Sequence, residues 1–480
     1  MSRLRLWSVI AAVICCNFLT ALDNTVVNIA LPQISAQLGL AGTDVKWVGT
    51  AYPLALAGSL LGCGQLTDTR GRRWALLTGV AVFTVSSAGC ALSTTGVMLV
   101  CFRALQGVGA AFILPASLAL MAHDLPSRAR AAAFSATSAA LASALALGPV
   151  FSGVVTQHLG WEWLFLLNTP LGVSAFVVGA WAVPGVAGRR NHSVPIATPV
   201  PNHQIALACL FLSSLVYCLI QGPAYGFTTP PVVLCEVVAT ASVIVLCRGG
   251  RHPALRLLLR QRAYSGGLVT QLLWGLGVSG VYFYTCQFLQ SGLRLSPTQA
   301  GLAFTPVCSA LFLTTPVATA MARRWGEARI SATGLLLVAL GLLLLALGSE
   351  HGGLADLIPG LVAVGVGSSL AIPLTARALA SSPGRLSGFA AGLFSATREL
   401  SGVFGIVLVG AVVTLVQHLC LSRRIPGPEA ALAGYQAGLC IAAALVGAGA
   451  PVAVWALRRP HERGGNAPCR AAGSSPDTKS

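Results

Sequence analysis

The sequence carries little charge. Asp, Glu, Lys and Arg make up 9% of its 480 residues, against roughly 25% in soluble domains. That is too few ionised groups to coat a soluble fold of this size, which excludes a water-soluble enzyme, a disordered regulator and a secreted disulfide module. Lysine is nearly absent: Lys46 and Lys479 stand against 28 arginines, a bias expected of a GC-rich coding sequence. Neither lysine lies in a Gly-rich phosphate loop, so no Walker-type site for direct drive by ATP is encoded. Gly275-Leu-Gly277-Val-Ser-Gly280 is a formal G-x-G-x-x-G. It sits inside an apolar run with no preceding strand, which argues against nucleotide binding. The 14 cysteines include no C-x-x-C pair and read as packing residues, with no metal site expected. The 8 histidines fall mostly in loops or near helix ends, which leaves little basis for a membrane-embedded enzyme.

What is abundant is apolar. Hydrophobic residues make up 55% of the chain, and the mean hydropathy is +0.77. A membrane helix needs about 20 mostly apolar residues. Fourteen stretches qualify, near residues 7–31, 46–66, 74–94, 96–121, 131–156, 162–183, 204–221, 229–247, 263–290, 298–322, 331–349, 355–380, 386–417 and 433–457. The first is expected to be a span rather than a cleaved leader, because polar residues run from position 17 to 28. The chain is therefore read as an all-α integral membrane protein with 14 transmembrane helices in the plasma membrane.

The basic residues set the orientation. With both termini cytoplasmic, 23 Arg and Lys fall on the inner side and 4 on the outer: Lys46, Arg294, Arg423 and Arg424. A net charge of +17 spread over short loops in this way is a topology signal rather than a nucleic-acid surface. There is also an internal echo. Gly64 to Arg73 and Arg323 to Arg329 are both basic cytoplasmic connections around a Gly. The expected organisation is a six-helix bundle over 1–183, a cytoplasmic linker over 184–203, an inserted helix pair and loop over 204–262, a second six-helix bundle over 263–457, and a tail over 458–480. Two repeats around a central cavity make a transporter architecture.

An ionisable group at membrane depth marks function by default. Asp23 and Arg103 lie about eight and seven residues from the outer ends of their spans, both roughly 10–12 Å deep, so they can meet. A carboxylate beside a guanidinium holds its charge, and the same group buried alone takes up a proton. Movement of one against the other is a proton-coupling device; a static pair that fixes packing is the alternative. Asn17, Thr20, Asn24 and Asn28 share one face of the first helix and read as cavity lining or as interhelical glue. Trp274, Tyr282 and Gln287, on the ninth span, suit a bulky amphipathic ligand, and ordinary packing is the competing reading. Arg398 and Glu399 are adjacent, point about 100° apart, and are each expected to seek a partner on another helix. Glu399 is either a second protonatable site or part of a structural pair. Glu236, in the inserted pair, reads as a peripheral acid. Asp68 with Arg70, Gly71, Arg72 and Arg73 forms a connection that serves gating or only topology. Gly148, Pro149 and Gly153 make a kinked, closely approaching helix that seals a cavity or simply packs.

The motifs in combination resemble those of the 14-helix drug:proton antiporters of the major facilitator superfamily, over residues 17 to 455. Leu22-Asp23-Asn24-Thr25-Val26-Val27-Asn28-Ile29-Ala30-Leu31-Pro32 is similar to the family's first-helix signature. Gly64 to Arg73 resembles the loop between helices 2 and 3, and Arg103-Ala-Leu-Gln106-Gly107-Val-Gly109-Ala110 the fourth-helix pattern. Gly148-Pro149-Val-Phe-Ser152-Gly153 resembles the antiporter motif, with Ser152 where Gly is usual. Trp161 to Pro170 resembles the sixth-helix entry, with Glu162 where Arg is usual. Gln287, Ser296-Pro297, Ala300-Gly301 and Pro306 fit helices 9 and 10. Arg398 and Gly402 fit helix 13, with Glu399 where an amide is commoner. The proton-coupling candidates are Asp23 and Arg103, with Glu399 a further one from its own carboxyl rather than from the family pattern, and Gln106 is placed among the substrate-binding residues. The resemblance also implies gating by the 64–73 loop, by the helix-5 motif and by Arg398.

The expected function is proton-coupled efflux of a hydrophobic or amphipathic drug or antibiotic. It needs no cofactor beyond the proton gradient, and its partners are a small molecule, protons and the bilayer, with the protein working as a monomer. Uptake of a small metabolite by the same fold is the alternative.

Overall fold

The computed structural model describes residues 3–40, 43–123, 125–183, 201–248, 253–350, 353–382 and 387–457. The expected linker, apart from 201–203, and the tail over 458–480 lie outside the described residues. Every regular element described is a helix. The first part of the chain forms α1 (Arg3–Leu38), α2 (Thr43–Arg70), α3 (Arg72–Ala91), α4 (Gly96–His123), α5 (Ser127–His158), α6 (Glu162–Leu166) and α7 (Asn168–Ala182). A pair, α8 (Asn202–Tyr225) and α9 (Pro230–Arg248), follows, and then a short α10 (Pro253–Arg260). The last part forms α11 (Arg262–Gln287), extended by a π-helical turn over Phe288–Gly292, then α12 (Pro297–Ala303), α13 (Thr305–Trp325), α14 (Glu327–Gly348), α15 (Leu354–Ala380), α16 (Ser387–Ser422) and α17 (Gly427–Leu457).

Each of the fourteen apolar stretches coincides with one helix or two consecutive ones. Among the described residues, eleven spans are long and apolar enough to cross a membrane by length and composition, and α9 contributes a shorter apolar segment, Pro230–Leu246. Helix ends differ from the sequence reading. The first helix passes through Pro32 to Leu38 instead of stopping at 31, because its last turns pack on: Gln37 accepts a hydrogen bond from the Trp161 indole. The tenth span breaks at Phe304 into α12 and α13. Its start is fixed by a capping box, in which Ser296 Oγ accepts from the Gln299 N–H at 3.3 Å and the Ser296 N–H donates to Gln299 Oε1 at 3.0 Å. The helix α10 arises inside what reads as a loop.

The two ends of the chain repeat a packing pattern. In the first, α1 packs on α5 and α7, α2 on α4, and α3 on α4 and α7. In the last, α11 packs on α16 and α17, α13 on α15, and α14 on α15 and α17. Close backbone approach repeats as well. A Cβ on Gly79 of α3 would stand 2.8 Å from the Gly109 carbonyl of α4, and one on Gly341 of α14 would stand 2.8 Å from the Gly360 carbonyl of α15. The α8–α9 pair lies to one side, with α8 against both α2 and α16.

The echo seen in the sequence has a geometric basis. Gly71 joins α2 to α3 at φ 99° and ψ 148°, and Gly326 joins α13 to α14 at φ 91° and ψ 138°. One residue in a region open essentially only to glycine turns the chain between two long helices. Nothing lies within 4 Å of where a Cβ would stand at either position, so a side chain there meets only backbone strain. Gly71→Ala and Gly326→Ala are therefore each expected to cost about 1–3 kcal/mol. Thermal unfolding of the purified protein in detergent checks this, and two similar losses are the expected result.

Candidate functional site

The deepest polar cluster is built on α1. Its apolar neighbours bury one side of the helix, and Asp23 projects from that side fully enclosed. Two helices bond to it there. Arg103 of α4 pairs with Asp23 Oδ2. Gln106, one turn further along α4, donates from Nε2 to Asp23 Oδ1 at 2.8 Å, and Asn168 at the start of α7 donates from Nδ2 to the same oxygen at 3.0 Å. Gln106 Oε1 accepts from Arg103 Nη1 at 2.7 Å, while its Nε2 also donates to Ser87 Oγ of α3 at 2.8 Å. The guanidinium lies 4.6 Å from the Tyr52 ring centroid and 5.7 Å from that of Phe165. The Tyr52 hydroxyl ties back to α1 through the Thr20 carbonyl at 3.1 Å.

A buried carboxylate tolerates its charge only when paired and hydrogen-bonded, and here both oxygens are engaged. A proton arriving on Asp23 would leave Arg103 an uncompensated buried cation, so protonation and rearrangement of α1 against α4 are linked. Asp23 lies well short of the end of α1 at Leu38, deeper along its helix than a stop at residue 31 implies. Among the described residues Arg103 Nε lacks a hydrogen-bond partner.

One position along α1 the chain faces the other way. Asn24 Nδ2 donates to Glu399 Oε2 of α16 at 3.4 Å. Glu399 is buried, whereas the adjacent Arg398 is exposed and bends back to bond Glu399 Oε1 from Nη2 at 2.8 Å. This corrects the expectation that sequence neighbours do not pair. The 100° separation applies to the Cα–Cβ bonds, and two long side chains can converge beyond it. Asn28 offers its backbone carbonyl to Cys286 Sγ of α11 at 3.0 Å, and Ile29 offers its own to Gln290 Nε2 at 2.8 Å. Asn17 and Thr20 bond carbonyls of their own helix.

The substrate candidates therefore separate. Asn24 lies in the seam between α1 and α16, while Gln106 is enclosed within the Asp23 cluster. On α11, Trp274 and Tyr282 pack against an apolar core shared with α14, α15 and α17, and Tyr282 stacks on Phe304 with centroids 5.4 Å apart. Gln287 is half-buried. Cys286 of α11 and Gln290 of the π-helical turn that extends it bond to backbone carbonyls of α1. Gln290 stands among the polar and aromatic residues that the sequence offers on this span; Cys286, Tyr52 and Ser87 are not singled out. Asn168 falls within the Trp161 to Pro170 motif, and that motif is the signal the sequence offers for it.

The gating candidates also find definite places. Arg70 covers the Trp74 ring at 4.9 Å, and Arg73 Nη2 donates to the Ala180 carbonyl near the end of α7 at 2.6 Å, a cation at a helix C-terminus. Arg72 opens α3. The side chain of Asp68 lies outside the described residues. In α5, Gly148 leaves room for Thr25 of α1, Gly153 for the Pro297 carbonyl and Gly301 for that of Pro149. Ser152 Oγ donates to the Val26 carbonyl, so serine is accommodated in this motif by a bond to α1. At the end that the charge pattern assigns to the outside, α5 and α12 thus touch backbone to backbone. Gly275 and Gly280 of α11 pack on Ser401 and Gly405 of α16, and Gly277 packs on Ala442 and Val446 of α17. The formal G-x-G-x-x-G is a helix-packing surface.

The model of a family described as the Major Facilitator Superfamily matches residues 13–406 and, separately, 268–476. The tetracenomycin C resistance and export protein of Streptomyces glaucescens is 29% identical over 85% of this chain and 76% of its own length. The cephamycin export protein CmcT of Amycolatopsis lactamdurans is 30% identical over 83% of this chain and 84% of its own. The multidrug resistance protein Stp of Mycobacterium tuberculosis is 29% identical over 86% of this chain and 77% of its own. Among solved structures, an inward-facing bacterial homologue of the human lysosomal transporter Spinster matches with a TM-score of 0.67 at 14% identity, covering 95% of this chain and 98% of that one. An auto-inhibited POT family peptide transporter matches at 0.64 and 16%, covering 93% and 96%. These two likenesses concern the fold.

Removing one partner of a buried ion pair strands the other. Asp23→Asn and Arg103→Gln are each expected to destabilise the protein by about 3–5 kcal/mol, with the double variant losing less than the sum. Thermal unfolding across this double-mutant cycle tests it, and strict additivity would show the two side chains to be uncoupled.

Proposed function

The chain belongs to the major facilitator superfamily, and on that premise we propose that it exports a hydrophobic or amphipathic drug or antibiotic across the cytoplasmic membrane in exchange for protons. Two six-helix bundles, 1–183 and 263–457, rock about a midplane site, with fourteen crossings and both termini cytoplasmic. The pair within 204–262 stands beside them. Both bundles lie in one chain, so a monomer suffices.

The observation that carries the reading is the divided loyalty of α1. Asp23 is clamped within the first bundle by Arg103, Gln106 and Asn168, while Asn24 reaches Glu399 of the second. Any change at Asp23 is mechanically one residue away from a contact between bundles. With the outer ends of α5 and α12 in contact, the carboxylate is charged and held. Parting of those ends wets α1 and lets Asp23 take a proton from outside. The neutralised acid releases Arg103, and the bundles return to give that proton up inside. Relatives named for export or resistance support the outward direction.

The test is transport in vesicles with an imposed proton gradient. Asp23→Asn is expected to insert normally and to lower gradient-driven export to the level of empty vesicles. Unchanged export by that variant would remove Asp23 from the mechanism.

A further inference from the structure

Lys46 lies on the first turn of α2, at the end that the basic-residue pattern places outside, and it is the single lysine among the described residues. It does not point away into water. Its ammonium converges with the Tyr284 hydroxyl of α11 on Gly410 of α16, where a Cβ would lie 3.3 Å from Lys46 Nζ and would collide with Tyr284. The Tyr284 hydroxyl donates to the Ile406 carbonyl at 3.3 Å. Three residues further along α2, Gly49 receives the Phe283 ring, which would stand 2.9 Å from a Cβ there. Lys46 is half-buried in a wedge where α2 meets α11 and α16, and both glycines leave room for side chains from the facing helix.

The charges around this seam do not cancel. Asp23 holds Arg103, and Glu399 holds Arg398. Lys46 has neither hydrogen bond nor ion pair from its side chain among the described residues. The one carboxylate near it in sequence, Asp44, is exposed two residues back on the same helix, about 200° around the axis. A surplus cation beside a phenol, with the Phe283 ring packed on Tyr284 as an apolar wall, is the chemistry of a site for an anion on an apolar body. Gly410 is eleven residues beyond Glu399 on α16, about 16 Å along the axis, so this site lies on the outward course from the midplane seam.

We propose that Lys46, standing beside Tyr284, recognises an acidic group on the exported compound, and that the preferred substrate is an amphipathic weak acid, a carboxylate or phenolate on an aromatic or aliphatic body. This rests on the export reading and adds the charge of the cargo and the place where it is held.

Three fluorescent compounds with a common apolar body and a carboxylate, an amide or a quaternary ammonium group provide the test. Equilibrium binding is measured on the full chain in lipid-free maltoside detergent, which excludes phospholipid phosphate as the anion. The carboxylate should bind most tightly. Lys46→Gln should weaken it about tenfold, the equivalent of about 1.4 kcal/mol, and leave the amide unchanged. Lys46→Arg should retain the preference. Equal affinities for the three compounds, tightest binding of the ammonium, no binding at all, or a Lys46→Gln effect common to all three would overturn the proposal. Proton-driven export of the amide compound is measured separately in vesicles. Export indifferent to the gradient would defeat the antiport reading while leaving the binding preference standing.

Discussion

A guanidinium and a carboxylate enclosed together inside an apolar bundle impose a strict condition on everything around them. Neither can be left alone at that depth without a cost of several kcal/mol, so the helices that contribute to the cluster must keep their relative places. Gln106 and Asn168 are spent on satisfying Asp23, with Ser87 accepting in turn from Gln106, and Tyr52 and Phe165 supply the ring faces over Arg103. The first bundle is thus specified by polar bonds at its centre. The second, with Val278, Leu335, Val338, Leu342, Leu439 and Val446 in its core, is held mainly by apolar packing and glycine contacts. The repeat is one of backbone geometry, and the two copies have taken different chemistry.

What the sequence revealed was whatever depends on length, period and glycine. Apolar runs located every long helix, and the Gly71 and Gly326 junctions showed as basic loops around a Gly before their matching φ values were known. Equal depth brought Asp23 and Arg103 together on paper because an ion pair constrains both helices at once. Direction was harder to read. The helix α11 is apolar around most of its circumference, so its sequence does not show which face meets α1. Trp274 and Tyr282 turn to the core of their own bundle, while the less conspicuous Cys286 and Gln290 make the crossing. Nor does spacing foretell that Arg398 folds back on Glu399, since side-chain length rather than helix phase decides it. The extension of α1 past Pro32 depends on Trp161, a partner far away in the chain.

The contacts between bundles explain why small residues matter at the end that the charge pattern assigns to the outside. Gly153 and Gly301 each accept a carbonyl of the opposing helix into the space of a missing side chain. Surfaces held by backbone contact and a few hydrogen bonds, such as the Thr298 N–H to Gln157 Oε1 at 3.2 Å, can part without exposing large apolar side chains. Ser152 differs. Its hydroxyl is bound to α1, so it ties α5 to its own bundle and leaves the opposing surface free to separate.

The side chains of Asp23 and Asn24 make this division sharpest. On a helix, adjacent residues project about 100° apart, enough for one to serve the interior of a bundle and the other its outer seam. Because α1 is continuous through this point, a small rotation about its axis moves both groups together and in fixed proportion. Loosening Asp23 from Arg103 therefore changes the angle at which Asn24 meets Glu399, without any intermediate element. A substituent one residue earlier or later would fall on the wrong side of the helix. In the proposed exchange the coupling would depend on phase as much as on the acid itself, which is how an Asp-Asn pair within a single turn would join a proton to the separation of two bundles.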